Sequence, residues 1–165
     1  MDDRTTNNLN THEGRLAGTL ETIAEHYRYE RYQDCVRAAR DLLAAEPGNR
    51  SAWQYLGHAY YKLERWAEAR SAYEQSRPGP CNPLVPLRQA ECCHRLGQWD
   101  ETASALRRVI AGARCAPMLV SAMNLAISIG DVCSAFDAAE RLRTIAPHNL
   151  RARAIYSKVC ELLGS

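Results

Sequence analysis

The sequence of 165 residues lacks an excess of charge of either sign and lacks a long apolar run. Its 21 basic and 19 acidic residues are interspersed and give a formal net charge of +2, so nothing predicts binding to nucleic acid or to a membrane surface. No apolar stretch approaches the roughly 20 residues of a transmembrane helix, which argues against stable membrane insertion. The polar segment Met1–Arg4 lacks the apolar region of a signal peptide, and we therefore expect a cytoplasmic protein.

Motifs of catalysis, metal binding and phosphate binding are also absent. There is no phosphate-binding glycine loop and no His-Glu-x-x-His pair. The seven cysteines include no Cys-x-x-Cys pair and stay reduced in the cytoplasm. A Cys–His catalytic pair between distant segments is the remaining enzyme hypothesis, and no motif supports it. We therefore predict a protein that is not an enzyme and that uses no cofactor and no metal.

Cys92, Cys93 and His94 form the one local cluster of metal-ligating residue types that needs a decision. Successive side chains on a helix point about 100° apart, so the three cannot all face one ion. A reduced cysteine on the inner face of a helix behaves as a small apolar residue. We expect Cys93 to pack in the core.

What the sequence does contain is helical periodicity, which runs from Arg15 onward without any stretch that alternates long enough to predict a sheet. The pattern repeats at intervals of roughly 34 residues. Its clearest marker is the turn between two helices, which recurs at residues 30–34, 64–68, 97–101 and 130–134. The sequence therefore predicts an all-α array of four helical hairpins.

The second unit shows a spacing of larger, smaller and aromatic residues that identifies the repeat. The residues concerned are Trp53, Leu56, Gly57, Tyr60, Ala69 and Tyr73. The first four follow the order Trp-x-x-Leu-Gly-x-x-Tyr, which resembles the tetratricopeptide repeat family. Gly57 would let the two helices approach closely, and the aromatic stripe would pack on the second helix. The resemblance implies a tetratricopeptide-repeat superhelix of stacked hairpins with a shared core.

Proline, glycine and asparagine mark the limits of the units. Pro47-Gly48-Asn49, Asn82-Pro83 and Pro117 are typical of helix ends and starts. Residues 1–14 are polar and lack apolar periodicity, which predicts a mobile N-terminal arm, and the apolar stripe that follows Asn149 predicts a C-terminal capping helix over residues 150–165. The hairpins lie between, over residues 15–149, with units at about 16–49, 50–82, 83–115 and 116–149.

In this fold the first helix of each hairpin lines a concave groove. Residues three or four positions apart share a helix face, so the register predicts which side chains line it. The predicted peptide-binding groove comprises Leu20, Ala24, Tyr27, Gln54, His58, Tyr61, Lys62, Leu84, Leu87, Glu91, His94, Val120 and Asn124, and the same register makes Arg95 and Ile127 face it. This lining is apolar and aromatic with a few polar groups, which suits an extended peptide with hydrophobic anchors.

The third unit carries a more specific pattern. It comprises Pro83, Pro86, the run Ala90-Glu91-Cys92, Gly97, Glu101 and Leu106. This pattern resembles the translocator chaperones of type III secretion (the SycD/LcrH family), over about residues 20–115. The resemblance implies a virulence-associated cytosolic chaperone, often a homodimer, that holds an extended segment of a secreted hydrophobic cargo in its groove. Tyr27, His58, Tyr61, Leu87 and Glu91 would line the pockets.

The chain departs from that family at several points. It has a fourth hairpin, its arm at residues 1–14 is short and polar for a dimerisation arm, and Glu30 and Glu64 replace turn glycines. The main alternative is therefore a general tetratricopeptide-repeat scaffold or adaptor in a protein assembly.

A co-chaperone that binds acidic tails is a further alternative, and it is disfavoured. Such a protein needs a clamp of lysines, asparagines and an arginine on the groove. Leu20, Ala24, Tyr55 and Leu84 occupy the clamp positions, and Arg88 alone fits.

Overall fold

In the computed structural model, residues 19–76 and 84–163 are described, and their regular secondary structure is entirely helical. The helices are α1 (residues 19–28), α2 (Tyr32–Ala45), α3 (Arg50–Lys62), α4 (Trp66–Gln75), α5 (Leu84–Arg95), α6 (Trp99–Gly112), α7 (Ala116–Ser128), α8 (Val132–Ile145) and α9 (Leu150–Leu163). The predicted all-α class is confirmed. The arm predicted at residues 1–14 lies outside the described residues.

The chain divides into two compact units, Met1–Arg77 and Pro78–Ser165. In the first unit α3 packs against α2 and against α4. Its core is apolar and includes Ile23, Cys35, Leu42, Leu56 and Tyr73. Burial raises the pKa of the Cys35 thiol to about 11, so this cysteine is a neutral packing residue at physiological pH.

The two helices of the second hairpin approach each other closely at Gly57, as the repeat pattern predicts. A Cβ atom on this residue would lie 2.6 Å from Cε1 of Tyr73, whose side chain is fully buried. Trp53 was expected in the same internal stripe but is half-buried, and its indole N–H donates a hydrogen bond of 2.8 Å to the carbonyl of Pro47. The tryptophan is therefore held at the surface of the hairpin.

In the second unit one core cluster joins residues of α5, α6, α7 and α8. Cys93 is 4% exposed and Cys92 is fully buried, which confirms the expected packing role of Cys93. The last helix, α9, packs on α8, where Tyr156 stacks on Phe136 with ring centres 4.9 Å apart. This helix therefore covers the second helix of the fourth hairpin.

The turns inside the four hairpins share one backbone geometry. The second residue after the first helix of each hairpin has a positive φ, namely 59° at Glu30, 59° at Glu64, 73° at Gly97 and 74° at Gly130. Two backbone hydrogen bonds close each turn, as where the N–H of Arg65 donates to the carbonyl of Tyr60 at 2.9 Å. This is the Schellman motif, which satisfies the last carbonyls of a helix.

Candidate functional site

Aromatic rings from α1, α2, α3 and α4 meet in the first unit. The ring of Tyr27 lies 5.6 Å from that of Tyr32, 6.2 Å from that of Tyr55 and 6.0 Å from that of His58, measured between centres. The imidazole of His58 lies 5.4 Å from the ring of Tyr73, and its Nδ1 is 2.8 Å from the tyrosine hydroxyl. We name these five residues the aromatic cluster. The structure thus brings together Tyr27 and His58, two residues predicted for the groove.

Four rings of the aromatic cluster are half-buried, and only Tyr73 belongs to the core. Such rings offer an apolar face to a ligand and keep a polar edge in water. Burial, and then the charge of Glu30, raise the pKa of Tyr32, so its phenol is neutral at physiological pH. The cluster can therefore contact proline and other apolar side chains while its hydroxyls bind a peptide backbone.

The other groove residues predicted in the first unit surround this cluster along the same helices. Leu20 and Ala24 are half-buried on α1, Gln54 and Tyr61 are half-buried on α3, and Lys62 is exposed at the end of α3. The ring of Tyr61 packs edge-on against Trp66 with centres 5.1 Å apart. These placements leave each of the five partly accessible to a ligand.

In the second unit most of the predicted residues are accessible. Leu84 is 46% exposed. Glu91 is half-buried and accepts a hydrogen bond of 2.7 Å from Arg88, and the half-buried His94 packs edge-on against Trp99 with ring centres 5.2 Å apart. On α7, Val120 and Asn124 are half-buried.

Leu87 differs from the prediction. Its side chain is 4% exposed and belongs to the core cluster of the second unit. The physical reason is that α5 packs against both α6 and α7, so the buried part of α5 is wider than a single stripe. Leu87 therefore stabilises the fold and does not present an anchor pocket to a ligand.

A second concave feature of the first unit was missed by the sequence reasoning. It is a pocket of about 410 Å³ lined by Arg40, Leu43, Ala44, Trp53, Leu56, Tyr60, Glu68, Ser71 and Ala72. The repeat pattern placed Trp53 and Tyr60 in internal packing, so no open space was expected beside them. The one sequence signal was the small size of Ala44, Ser71 and Ala72 beside a tryptophan.

Among residues 19–76 and 84–163, no group of three or more His, Cys, Asp or Glu side chains is placed to hold a metal ion. None of the described helices is long and apolar enough to cross a membrane.

A protein family model matches a little less than half of the chain. Residues 3–78 are similar to the bacterial transcriptional activator domain. The matched segment coincides closely with the first compact unit, Met1–Arg77.

Solved structures share the fold over most of the chain. The crystal structure of MamA protein matches with a TM-score of 0.72 and 18% identity, covering 90% of this chain and 82% of MamA. YrrB, a tetratricopeptide repeat protein with an unusual peptide-binding site, matches with a TM-score of 0.71 and 12% identity, covering 96% and 83%. TTC0263, a thermophilic tetratricopeptide repeat protein of Thermus thermophilus, matches with a TM-score of 0.64 and 18% identity, covering 86% and 79%. The chain thus has a tetratricopeptide-like, all-helical fold.

Proposed function

We propose that this chain is a non-enzymatic protein-interaction scaffold whose first unit binds an extended segment of a partner protein over the aromatic cluster. The observation that carries the proposal is the half-buried set of rings on α1, α2 and α3, centred on Tyr27. A stable core does not require partly exposed rings at neighbouring positions of three helices, whereas recognition of an extended peptide does.

The size of the cluster is sufficient for binding of moderate affinity. Each apolar side chain buried against the rings contributes roughly 1.5–3 kcal/mol. Three such anchors, less the cost of ordering the peptide, give a dissociation constant of about 1 μM. This is the range expected for an adaptor that exchanges partners.

The alanine substitution of Tyr27 tests the proposal. The partner is first recovered from native cytosol with the tagged chain, identified by mass spectrometry, and reduced to its binding segment. We expect Tyr27→Ala to weaken the binding of that segment by about tenfold, measured by calorimetry, because one aromatic contact surface is lost.

Tyr29→Ala provides a matched control, because Tyr29 is of the same type, lies two residues away, is 65% exposed and is outside the aromatic cluster. Its affinity should stay within about twofold of the unsubstituted chain. Circular dichroism tests whether both variants keep their helices, as we expect. Equal loss of affinity in the two variants, or none in either, would place the binding surface elsewhere.

A narrower form of the proposal, a chaperone for a secreted translocator, rests on the residues of the third unit alone. Within the described part of that pattern, Ala90 and Cys92 are fully buried and Glu91 pairs with Arg88. Core packing and a local ion pair account for these residues without a cargo. Recovery of a single secreted, membrane-active protein from the cytosol would support the chaperone form.

The match of residues 3–78 supports a different narrower form, in which the scaffold works in an assembly with a transcriptional regulator. The same recovery experiment separates the two, since it would then yield a regulator and no secreted cargo. A cytoplasmic location stays a prediction in both forms.

A further inference from the structure

The pocket of about 410 Å³ lies between α2, α3 and α4 of the first unit and shares no lining residue with the aromatic cluster. Pockets that bind ligands are commonly roughly 300–1,000 Å³ in volume. Most of the wall is apolar, from Leu43, Ala44 and Leu56. The indole N–H of Trp53 is bonded to the Pro47 carbonyl, which fixes the tryptophan ring at one side of the wall.

Two arginines and one glutamate set the charge of the pocket and its rim. Glu68 accepts hydrogen bonds of 2.9 Å and 2.6 Å from Nε and Nη2 of Arg65. The hydrogen bond from Arg65 is the main cause that lowers the pKa of Glu68, and the more distant charge of Arg40 is a minor one. The carboxylate is therefore ionised and already paired, and the charges of Arg65 and Glu68 compensate each other.

Of these three charged residues, Arg40 is the one whose charge the Arg65–Glu68 pair does not involve. Its guanidinium lies 5.8 Å from the centre of the Tyr60 ring, and it forms no hydrogen bond or ion pair of ordinary length with any residue in the described ranges. The guanidinium donors stand beside a largely apolar cavity and have no acceptor among residues 19–76 and 84–163. A carboxylate is the group that such a fork binds best, through two parallel hydrogen bonds.

We propose that this pocket is a second binding site, for a short linear segment of a partner protein in which an acidic residue stands next to large apolar side chains. The apolar side chains would fill the cavity beside Trp53, and the carboxylate would bind Arg40. The pocket is open to solvent along three helices, whereas sites for small molecules bury most of the ligand surface. A side chain carried by a peptide therefore suits it better than a free small molecule.

Two synthetic peptides test the site, acetyl-Ser-Asp-Leu-Phe-Ser-amide and the same peptide with asparagine for aspartate. Binding to the full chain is followed by the indole N–H signals in ¹⁵N-labelled protein, with the Trp53 signal assigned from Trp53→Phe. We expect the aspartate peptide to shift the Trp53 signal at concentrations below about 1 mM and to bind about fivefold to tenfold more tightly than the asparagine peptide.

Arg40→Gln should remove the preference for aspartate, because the amide offers no positive charge. Arg37→Gln is the matched control, since Arg37 lies on the same helix, pairs with Asp34 and does not line the pocket. This control variant should keep the preference. The proposal is overturned by an unmoved Trp53 signal, by equal affinity for the two peptides, or by a preference that survives in Arg40→Gln.

Discussion

Gly57 shows how far a single residue constrains the fold. The hydrogen at its Cα faces the ring of Tyr73, and a Cβ would approach that ring to 2.6 Å. Tyr73 cannot easily move, because it is fully buried and its hydroxyl lies 2.8 Å from Nδ1 of His58. The same contact links the hairpin core to the aromatic cluster, so a shift of Tyr73 would also displace His58.

We expect Gly57→Ala to lower the free energy of unfolding by about 1–3 kcal/mol, because one added methyl overpacks the helix contact. Gly112→Ala is the matched control. Gly112 also lies in a helix, but no atom is found within 4 Å of its added Cβ, so the change should be neutral or stabilising by up to about 1 kcal/mol. Thermal unfolding followed by circular dichroism measures both, and equal melting temperatures would contradict the close approach.

Leu87 shows that helical periodicity alone does not predict whether a single residue is buried or exposed. A spacing of three or four residues shows that Leu84, Leu87 and Glu91 share a helix face. The spacing does not predict which part of that face the neighbouring helices bury. In the structure the neighbouring helices bury Leu87, which is 4% exposed, and leave Leu84 46% exposed. The lining of a site therefore needs the packing of whole helices in addition to their periodicity.

At the scale of the element, the four hairpin turns share one left-handed backbone conformation, which glutamate adopts in two turns and glycine in the other two. Each turn needs a residue at φ of 59° to 74°, and the first unit places Glu30 and Glu64 there while the second places Gly97 and Gly130. A side chain in this left-handed region costs roughly 1–2 kcal/mol, which glycine avoids. The first two turns thus hold backbone strain that the last two lack.

Glu64→Gly should therefore stabilise the chain by about 1 kcal/mol, after the greater freedom of glycine in the unfolded state is subtracted. The melting temperature should rise by about 2–4 °C. Gly97→Ala makes the reverse change at an equivalent turn and should lower it by a similar amount. A fall in melting temperature for Glu64→Gly would show that the Glu64 side chain stabilises the turn by contacts that outweigh its strain.

The elements themselves follow closely from the sequence. Helical periodicity and the repeated turns predict the hairpins, because each turn falls where the apolar stripe of one helix ends and that of the next begins. The pocket could not be predicted in the same way. It exists because Ala44, Ser71 and Ala72 leave space beside a half-buried tryptophan, and unfilled space has no periodic signal.

At the scale of the whole molecule, the chain consists of two compact units that each bury their own apolar residues. The core cluster of the second unit is built from buried residues of α5–α8 and Ala113, and Ile155 and Tyr156 of α9 pack against it. Segments of this size are close to the lower limit for an independent core, and many of them fold alone. The family match to residues 3–78 ends within one residue of the end of the first unit.

We expect the fragments Met1–Arg77 and Pro78–Ser165 each to give a helical circular dichroism spectrum and a cooperative thermal transition when expressed separately. The reason is that each fragment corresponds to one compact unit with its own internal contacts. The full chain, measured under the same conditions, is the reference. A fragment that unfolds without a cooperative transition would show that its core is incomplete without the other unit.

The positions of the three tryptophans have a practical consequence. Trp53 lies in the pocket, Trp66 packs against Tyr61, and Trp99 packs against His94 in the second unit and is 55% exposed. Intrinsic fluorescence therefore samples three separate environments without any attached dye. Removing Trp53 and Trp66 leaves tryptophan emission from the second unit alone, and removing Trp66 and Trp99 leaves tryptophan emission from the pocket alone.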